Sequence, residues 1–140
     1  RIHSTEIEGE QIVVLSTTGI ANALRAGDIA DYGLHQEVVR EVGTINTAII
    51  TSATLSDAAM VETHMIATEA KAAVFQQLAI KSTVSDGIAT GTGTDSTLVV
   101  SGQHSTAVRF AGKHTKFAEQ VARLTMASIA DSLTSIECAA

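Results

Sequence analysis

Two short polar segments carry the residue types from which hydrolytic chemistry is built: Thr90-Gly91-Thr92-Gly93-Thr94-Asp95-Ser96 and Ala111-Gly112-Lys113-His114-Thr115-Lys116. In the first, Gly91 and Gly93 admit backbone angles closed to other residues, so successive N–H groups can form an anion-binding nest. Thr92 and Thr94 add hydroxyls, and Asp95 adds a carboxylate. The plainer reading is a loop capped by Asp95 bonding to its own backbone. The second segment reads as a strand-to-helix junction, whose free N–H groups point at whatever occupies it. Lys113 opposes the helix dipole there and so invites an anionic or strongly polar partner. His114 can exchange protons near neutral pH. A solvated basic helix start is the plainer reading of this segment.

Neither segment is a nucleotide-binding motif. The dinucleotide fingerprint runs strand, Gly-x-Gly-x-x-Gly, helix, whereas the Gly/Thr loop precedes a strand and lacks the third Gly. A phosphate-binding loop needs a Gly five positions before its Gly-Lys pair; Ala107 stands there, and His114 replaces the Ser or Thr. No Gly-x-Ser-x-Gly nucleophile elbow occurs. Of the histidines, His3 and His35 fall in loops, His64 in mid-helix among apolar neighbours, and His104 in a turn. No pair has metal-site spacing, so no metal or other cofactor is expected. A meeting of His104, His114 and Asp95 in space is the one arrangement that would hold an ion. Glu69 and Lys71 stand two apart in an Ala-rich helix and are not natural partners. One of them therefore faces a site or a neighbouring element, unless both are simply solvated.

The elements that must position these residues follow from the apolar pattern. Residues 1–9 are polar and read as an extended lead-in. Gln11 to Leu15 is a buried strand. Gly19 and Gly27 bracket a short helical turn, on which Asn22 and Arg25 share a face. Residues 28–36 form a loop, and Thr44 to Thr51 a strand interrupted by Asn46. Ser56 caps a helix that runs to about Leu78, with Asp57 at the positive end of its dipole. Its stripe is Val61, Met65, Thr68 and Ala72, widened by Met60, Ala67, Val74 and Leu78. Its many alanines allow close approach to a sheet. Ser85-Asp86-Gly87 is a turn, and Thr97 to Val100 a strand. Ser101-Gly102-Gln103-His104 then makes a hairpin-like connection to a returning strand, Ala107 to Phe110. A last helix from His114 to about Leu133 shows Phe117, Val121, Leu124 and Ser128 on one stripe, beside Ala118, Ala122, Thr125 and Ile129. The order predicts an α+β fold, two long helices packed on a mixed or antiparallel sheet. An alternating α/β sheet is the alternative.

A chain of 140 residues with 45% hydrophobic and 17% charged residues is expected to fold as one domain, residues 1–140. With 3% aromatic residues, the core must come from Val, Ile, Leu and Ala, and stacking platforms for single-stranded nucleic acid are lacking. A net charge of −6 also argues against nucleic acid. No apolar run approaches the roughly 20 residues that span a bilayer, and no signal-peptide pattern opens the chain. Cys138 has no partner for an internal disulfide, and the cytoplasm is the expected location. Because it begins with Arg1, the chain is expected to be a processed, truncated or partly ordered product, and Arg1 supplies no N-terminal nucleophile.

Five segments taken in order resemble the adenosylcobinamide amidohydrolase family of prokaryotes. They are residues 19–28 (Gly-Ile-Ala-Asn-Ala-Leu-Arg-Ala-Gly-Asp), 43–47 (Gly-Thr-Ile-Asn-Thr), 67–71 (Ala-Thr-Glu-Ala-Lys), 90–95 and 111–116. The likeness extends from about residue 10 to residue 130. It implies cleavage of the amide joining aminopropanol to a corrin propionyl side chain, giving adenosylcobyric acid for corrinoid salvage. It also implies that an N-terminal part of the longer members is missing here. Amide hydrolysis needs a nucleophile, donors for the oxyanion, and an acid for the leaving amine. Asp95 and His114 are read as the proton-handling pair, and Thr94 or Thr92 as nucleophile unless a positioned water attacks. The loop N–H groups and Lys113 are read as oxyanion donors, and Asn22, Arg25, Asn46, Thr92, Lys113 and Glu69 as substrate contacts, with Thr94 the favoured catalytic threonine. Two other classes stay open: a corrinoid- or nucleotide-binding module without catalysis, and a structural subunit whose Ala-rich helices and mean hydropathy of +0.24 serve a homo-oligomer.

Overall fold

The β-branched runs build a four-stranded sheet whose one face is covered by both helices. The computed structural model describes residues 1–30, 33, 43–105 and 107–137; most of the loop expected at 28–36, with His35, and also Cys138 lie outside them. In chain order the elements are β1 (Ile2–Ile7), β2 (Glu10–Thr18), β3 (Ala23–Leu24), β4 (Ile45–Thr51), β5 (Thr54–Leu55), α1 (Asp57–Gln77), β6 (Gly91–Thr92), β7 (Ser96–Val100), β8 (Ala107–Val108) and α2 (Lys116–Glu137). The main sheet has the order β1-β2-β4-β7. β1, β2 and β4 are antiparallel neighbours, and β7 lies parallel to β4. The fold is α+β.

β1 and β2 meet through Glu8 and Gly9, both at positive φ (52° and 86°), as a two-residue type I′ turn requires. The expected lead-in over residues 1–9 is therefore an edge strand, with His3, Thr5 and Ile7 alternating inward. Ile12 and Val14 of β2, Ile49 of β4 and Val99 of β7 are buried against Ala59, Ile66 and Ala67 of α1 and Phe117, Ala118 and Val121 of α2. Strand alternation leaves Leu15, Ile50, Leu98 and Val100 exposed on the other face.

α1 starts where its cap dictates: Ser56 Oγ accepts from Ala59 N at 3.1 Å, and Asp57 lies in the first turn. Its buried residues are Ala59, Thr63, Ile66, Ala67, Ala70, Val74 and Phe75. The expected stripe of Val61, Met65, Thr68 and Ala72 instead faces away from the sheet, with Val61 61% and Met65 56% exposed. The buried face mixes small residues, which allow close approach, with Ile66, Val74 and Phe75, which fill the core, and Val61 and Met65 fall outside that arc. α2 buries Phe117, Ala118, Val121, Thr125, Ser128 and Ile129 as its period predicts. It begins at Lys116 because Thr115 Oγ1 caps it, accepting from Ala118 N at 3.2 Å.

Two further expectations are corrected. The segment between Gly19 and Gly27 is not helical; it extends as β3 and pairs antiparallel with β6, Ala23 opposite Thr92. Ala107 onward does not return along β7 as a hairpin; β8 pairs parallel with β5. The cause is Gly102, whose N donates to Ala53 O at 2.9 Å and whose backbone lies so close to Ser52 that an added Cβ would fall 1.6 Å from the Ser52 carbonyl oxygen. Among the described residues, no helix is long and apolar enough to cross a membrane.

Candidate active site beside the Gly/Thr loop

β6 is held against β3, the chain then turns through Gly93 and Thr94, and Asp95 enters the space between α1 and the start of β4. There its carboxylate receives four donors. Oδ1 accepts from Ile45 N at 3.1 Å and from Thr92 Oγ1 at 2.5 Å. Oδ2 accepts from Thr92 N at 3.0 Å and from Lys71 Nζ of α1. The Lys71–Asp95 pair is nearly withdrawn from water, with side chains 14% and 12% exposed. Gly91 makes this approach feasible: a Cβ there would lie 2.2 Å from Asp95 Oδ2 and 2.9 Å from Lys71 Nζ. The reason for glycine is space and not backbone angle, since the glycines at positive φ among the described residues are Gly9 and Gly27. The expected anion nest is also taken up internally. Thr92 N serves Asp95, and Thr94 N points to Thr92 Oγ1 at 3.4 Å.

A cleft of about 300 Å³ opens on this cluster, lined by Arg25, Thr68, Lys71, Thr90, Thr92 and Asp95. Arg25 is set at its edge by an Nη1 bond to Ile88 O at 3.0 Å and by its stem lying against Gly87. Asp28 fixes the same turn: it accepts from Ser82 Oγ (2.6 Å), Ser85 Oγ (2.7 Å) and Arg25 N (2.7 Å). These donors, Ser82 first, hold its carboxyl below the ordinary value of 3.8. Thr94 is exposed and ties the loop to the start of β4 through Gly43 O at 3.2 Å. Asn22 lies between Gly43 and Gly93 with its Oδ1 buried and without a donor among the described residues. Asn46 lies on the sheet face away from the helices, donating to Thr17 Oγ1 at 3.4 Å.

The second polar segment meets the other flank of α1. Lys113 pairs with Glu69, and Ala111 N donates to Glu62. A smaller cleft of about 140 Å³ lies among Glu62, Met65, Glu69, Gly112 and Lys113, with the His114 ring beside Gly112. Glu69 and Lys71, two residues apart, point about 200° from each other around the helix axis. The anion that Lys113 was expected to attract is therefore Glu69, and the element that Lys71 faces is the Gly/Thr loop. Asp95 and His114 fall on opposite flanks, and no hydrogen bond or ion pair joins them among the described residues. His104 engages Glu10 at 3.0 Å, so the His104, His114 and Asp95 cluster does not form; no group of three His, Cys, Asp or Glu among the described residues could hold a metal ion. A further cleft, of about 480 Å³, lies between the β1–β2 turn and the start of α2. Its walls are mainly apolar, and the one hydroxyl there, on Thr115, caps α2.

Thr92 and Asp95, both singled out in the sequence, lie together at this cleft; Asp28 was not singled out, and its signal is its place three residues after Arg25 at a Gly-containing turn. A family model described as adenosylcobinamide amidohydrolase matches residues 1–137, spanning every element from β1 to α2. The chain belongs to the adenosylcobinamide amidohydrolase family. It is a family of hydrolases, and the Lys71–Asp95–Thr92 cluster and the Lys113–Glu69 junction both lie within the matched residues. The chain is also 38% identical over 142 residues to an uncharacterized protein of Methanocaldococcus jannaschii, an alignment covering 91% of this chain and 55% of that protein. It thus spans about half the length of this relative. No solved structure matches the chain.

Proposed function

We propose that the chain hydrolyses the aminopropanol amide of adenosylcobinamide, releasing adenosylcobyric acid for corrinoid salvage, and that the cleft beside the Gly/Thr loop is where the amide is cut. One observation supports this location above the others: in a chain of this family, the Thr92 hydroxyl donates to a largely buried carboxylate at 2.5 Å, at the wall of a cleft. A base must lie within hydrogen-bond reach of the proton it removes, and Asp95 does. In this reading Thr92 is the nucleophile and Asp95 takes its proton. Arg25 orients the substrate at the mouth. Lys113, Glu69 and His114, across the crest of α1, hold polar groups on the ring periphery.

The rival is a corrinoid-binding module. Its support is that Asp95 accepts four protein donors, as a purely structural clamp would. Thr92→Ala and Thr92→Ser separate the two. The hydrolase reading expects Ala to lower turnover on the order of 10²–10⁴-fold and Ser to keep much of it. Corrinoid binding without release of aminopropanol by the unaltered chain would favour the module.

A further inference from the structure

We propose that Lys71 is a catalytic residue of this cleft: its ammonium donates to the carbonyl oxygen of the scissile amide and carries the charge that develops there. The inference rests on the hydrolase reading above. An ammonium has three donors and no acceptor. One N–H of Lys71 is bound to Asp95 Oδ2, and the other two have no protein acceptor among the described residues. At 14% exposure bulk water can satisfy them only in part, and the open side of the amine is the wall of the cleft that also carries Thr92.

Three of the other candidate donors already have partners. Thr92 N belongs to Asp95, Thr94 N points to Thr92 Oγ1, and Lys113 is paired with Glu69 on the far flank of α1. Arg25, anchored through Nη1 to Ile88 O, stands at the edge of the cleft, where its remaining N–H groups suit the role of orienting the substrate. Lys71 shares an anchor with the nucleophile and keeps N–H groups to spare. Asp95 holds Thr92 Oγ1 on one oxygen and Lys71 Nζ on the other, so hydroxyl and ammonium stand within one carboxylate of each other. A carbonyl carbon over the hydroxyl then has its oxygen beside the ammonium. Gly91, which has no side chain to separate the pair, keeps that arrangement intact.

The step balances without a co-reactant other than water. Thr92 Oγ bonds to the carbonyl carbon, its proton passes to Asp95, and the C=O electron pair moves onto the oxygen beside Lys71. When the carbonyl re-forms, the C–N bond breaks and the amine leaves with the proton from Asp95. Water then cleaves the Thr92 ester, restoring the hydroxyl and giving the carboxylic acid. Lys71 keeps all its protons throughout, acting as a preorganised charge.

The test compares wild type, Lys71→Met and Lys71→Cys, the last before and after alkylation with 2-bromoethylamine, which rebuilds a side chain ending in an ammonium. Adenosylcobinamide turnover is followed by mass spectrometry, with thermal melts to confirm that each variant folds. The expected result is a fall in kcat of about 10²–10³-fold in folded Lys71→Met, with KM changed less than about threefold, and recovery of at least tenfold on alkylating Lys71→Cys. Folded Lys71→Met with kcat within about threefold of wild type overturns the role of Lys71 and leaves the hydrolase reading standing. Should Lys71→Met not fold, alkylated Lys71→Cys that folds yet gains no turnover over the unmodified variant overturns it too. No release of aminopropanol by wild type overturns the hydrolase reading itself, and this inference with it.

Discussion

Asp95 joins three parts of the chain through one carboxylate: Ile45 N at the start of β4, Thr92 on β6 and Lys71 on α1. Removing it therefore has two measurable effects. Asp95→Asn should lower turnover by about 10²–10⁴-fold, because an amide cannot accept the Thr92 proton. Loss of the Lys71 pair should also lower unfolding free energy by roughly 1–3 kcal/mol in urea titrations. Gly91→Ala tests the geometry more narrowly. Its Cβ has no room beside Asp95 Oδ2, so the variant should lose turnover at least tenfold while corrinoid binding, followed by the corrinoid absorption spectrum, persists. Turnover at the wild-type rate would mean that the Lys71–Asp95 contact plays no part in the chemistry. At this scale the sequence pointed to Thr92 and Asp95 through the density of Thr, Gly and Asp in one loop. The spacing of Glu69 and Lys71 left open which of the two faces a site, and the sequence reading takes Glu69 rather than Lys71 as the substrate contact. The sequence did not place His114, since the distance from Asp95 to His114 depends on α1, which passes between them.

Among the elements, the legible ones were those whose signals are local. The Ser56 cap, the β2 and β4 runs and the period of α2 are read within a few residues and form as expected. β3, β5, β6 and β8 are two-residue ladders made by partners 50 or more positions away in sequence, and no local pattern announces them. The facing of α1 was illegible for another reason. Alanine and threonine occur all around that helix, so no stripe of large apolar residues marks the buried side. Ser56→Ala should cost about 1 kcal/mol in chemical denaturation with turnover unchanged. Asp28 gives an acid-dependent prediction. Its folded pKa is depressed, so its contribution is present above the unfolded value near 3.8 and is lost as pH falls through the folded value. Asp28→Asn should therefore melt below wild type at neutral pH, and the gap should narrow as the solution is taken below that value. A gap constant with pH would show that the Ser82 and Ser85 contacts act independently of charge.

At the scale of the whole molecule, one sheet face and two helices enclose the core, and the two polar segments first noted in the sequence lie on opposite flanks of α1. The exposed crest between them carries Val61 and Met65, an apolar strip bordered by the Lys71–Asp95 and Lys113–Glu69 pairs. The α+β class was legible from the order of runs and helices, and the family from five ordered segments matched by a model over residues 1–137. The measurement that bears most directly on the account is incubation of the purified chain with adenosylcobinamide, with and without a chelator, followed by mass spectrometry. Adenosylcobyric acid and free aminopropanol, formed by the unaltered chain and reduced at least 100-fold in Thr92→Ala, are the predicted result. Intact adenosylcobinamide after prolonged incubation, with binding still visible in the corrinoid spectrum, would contradict it.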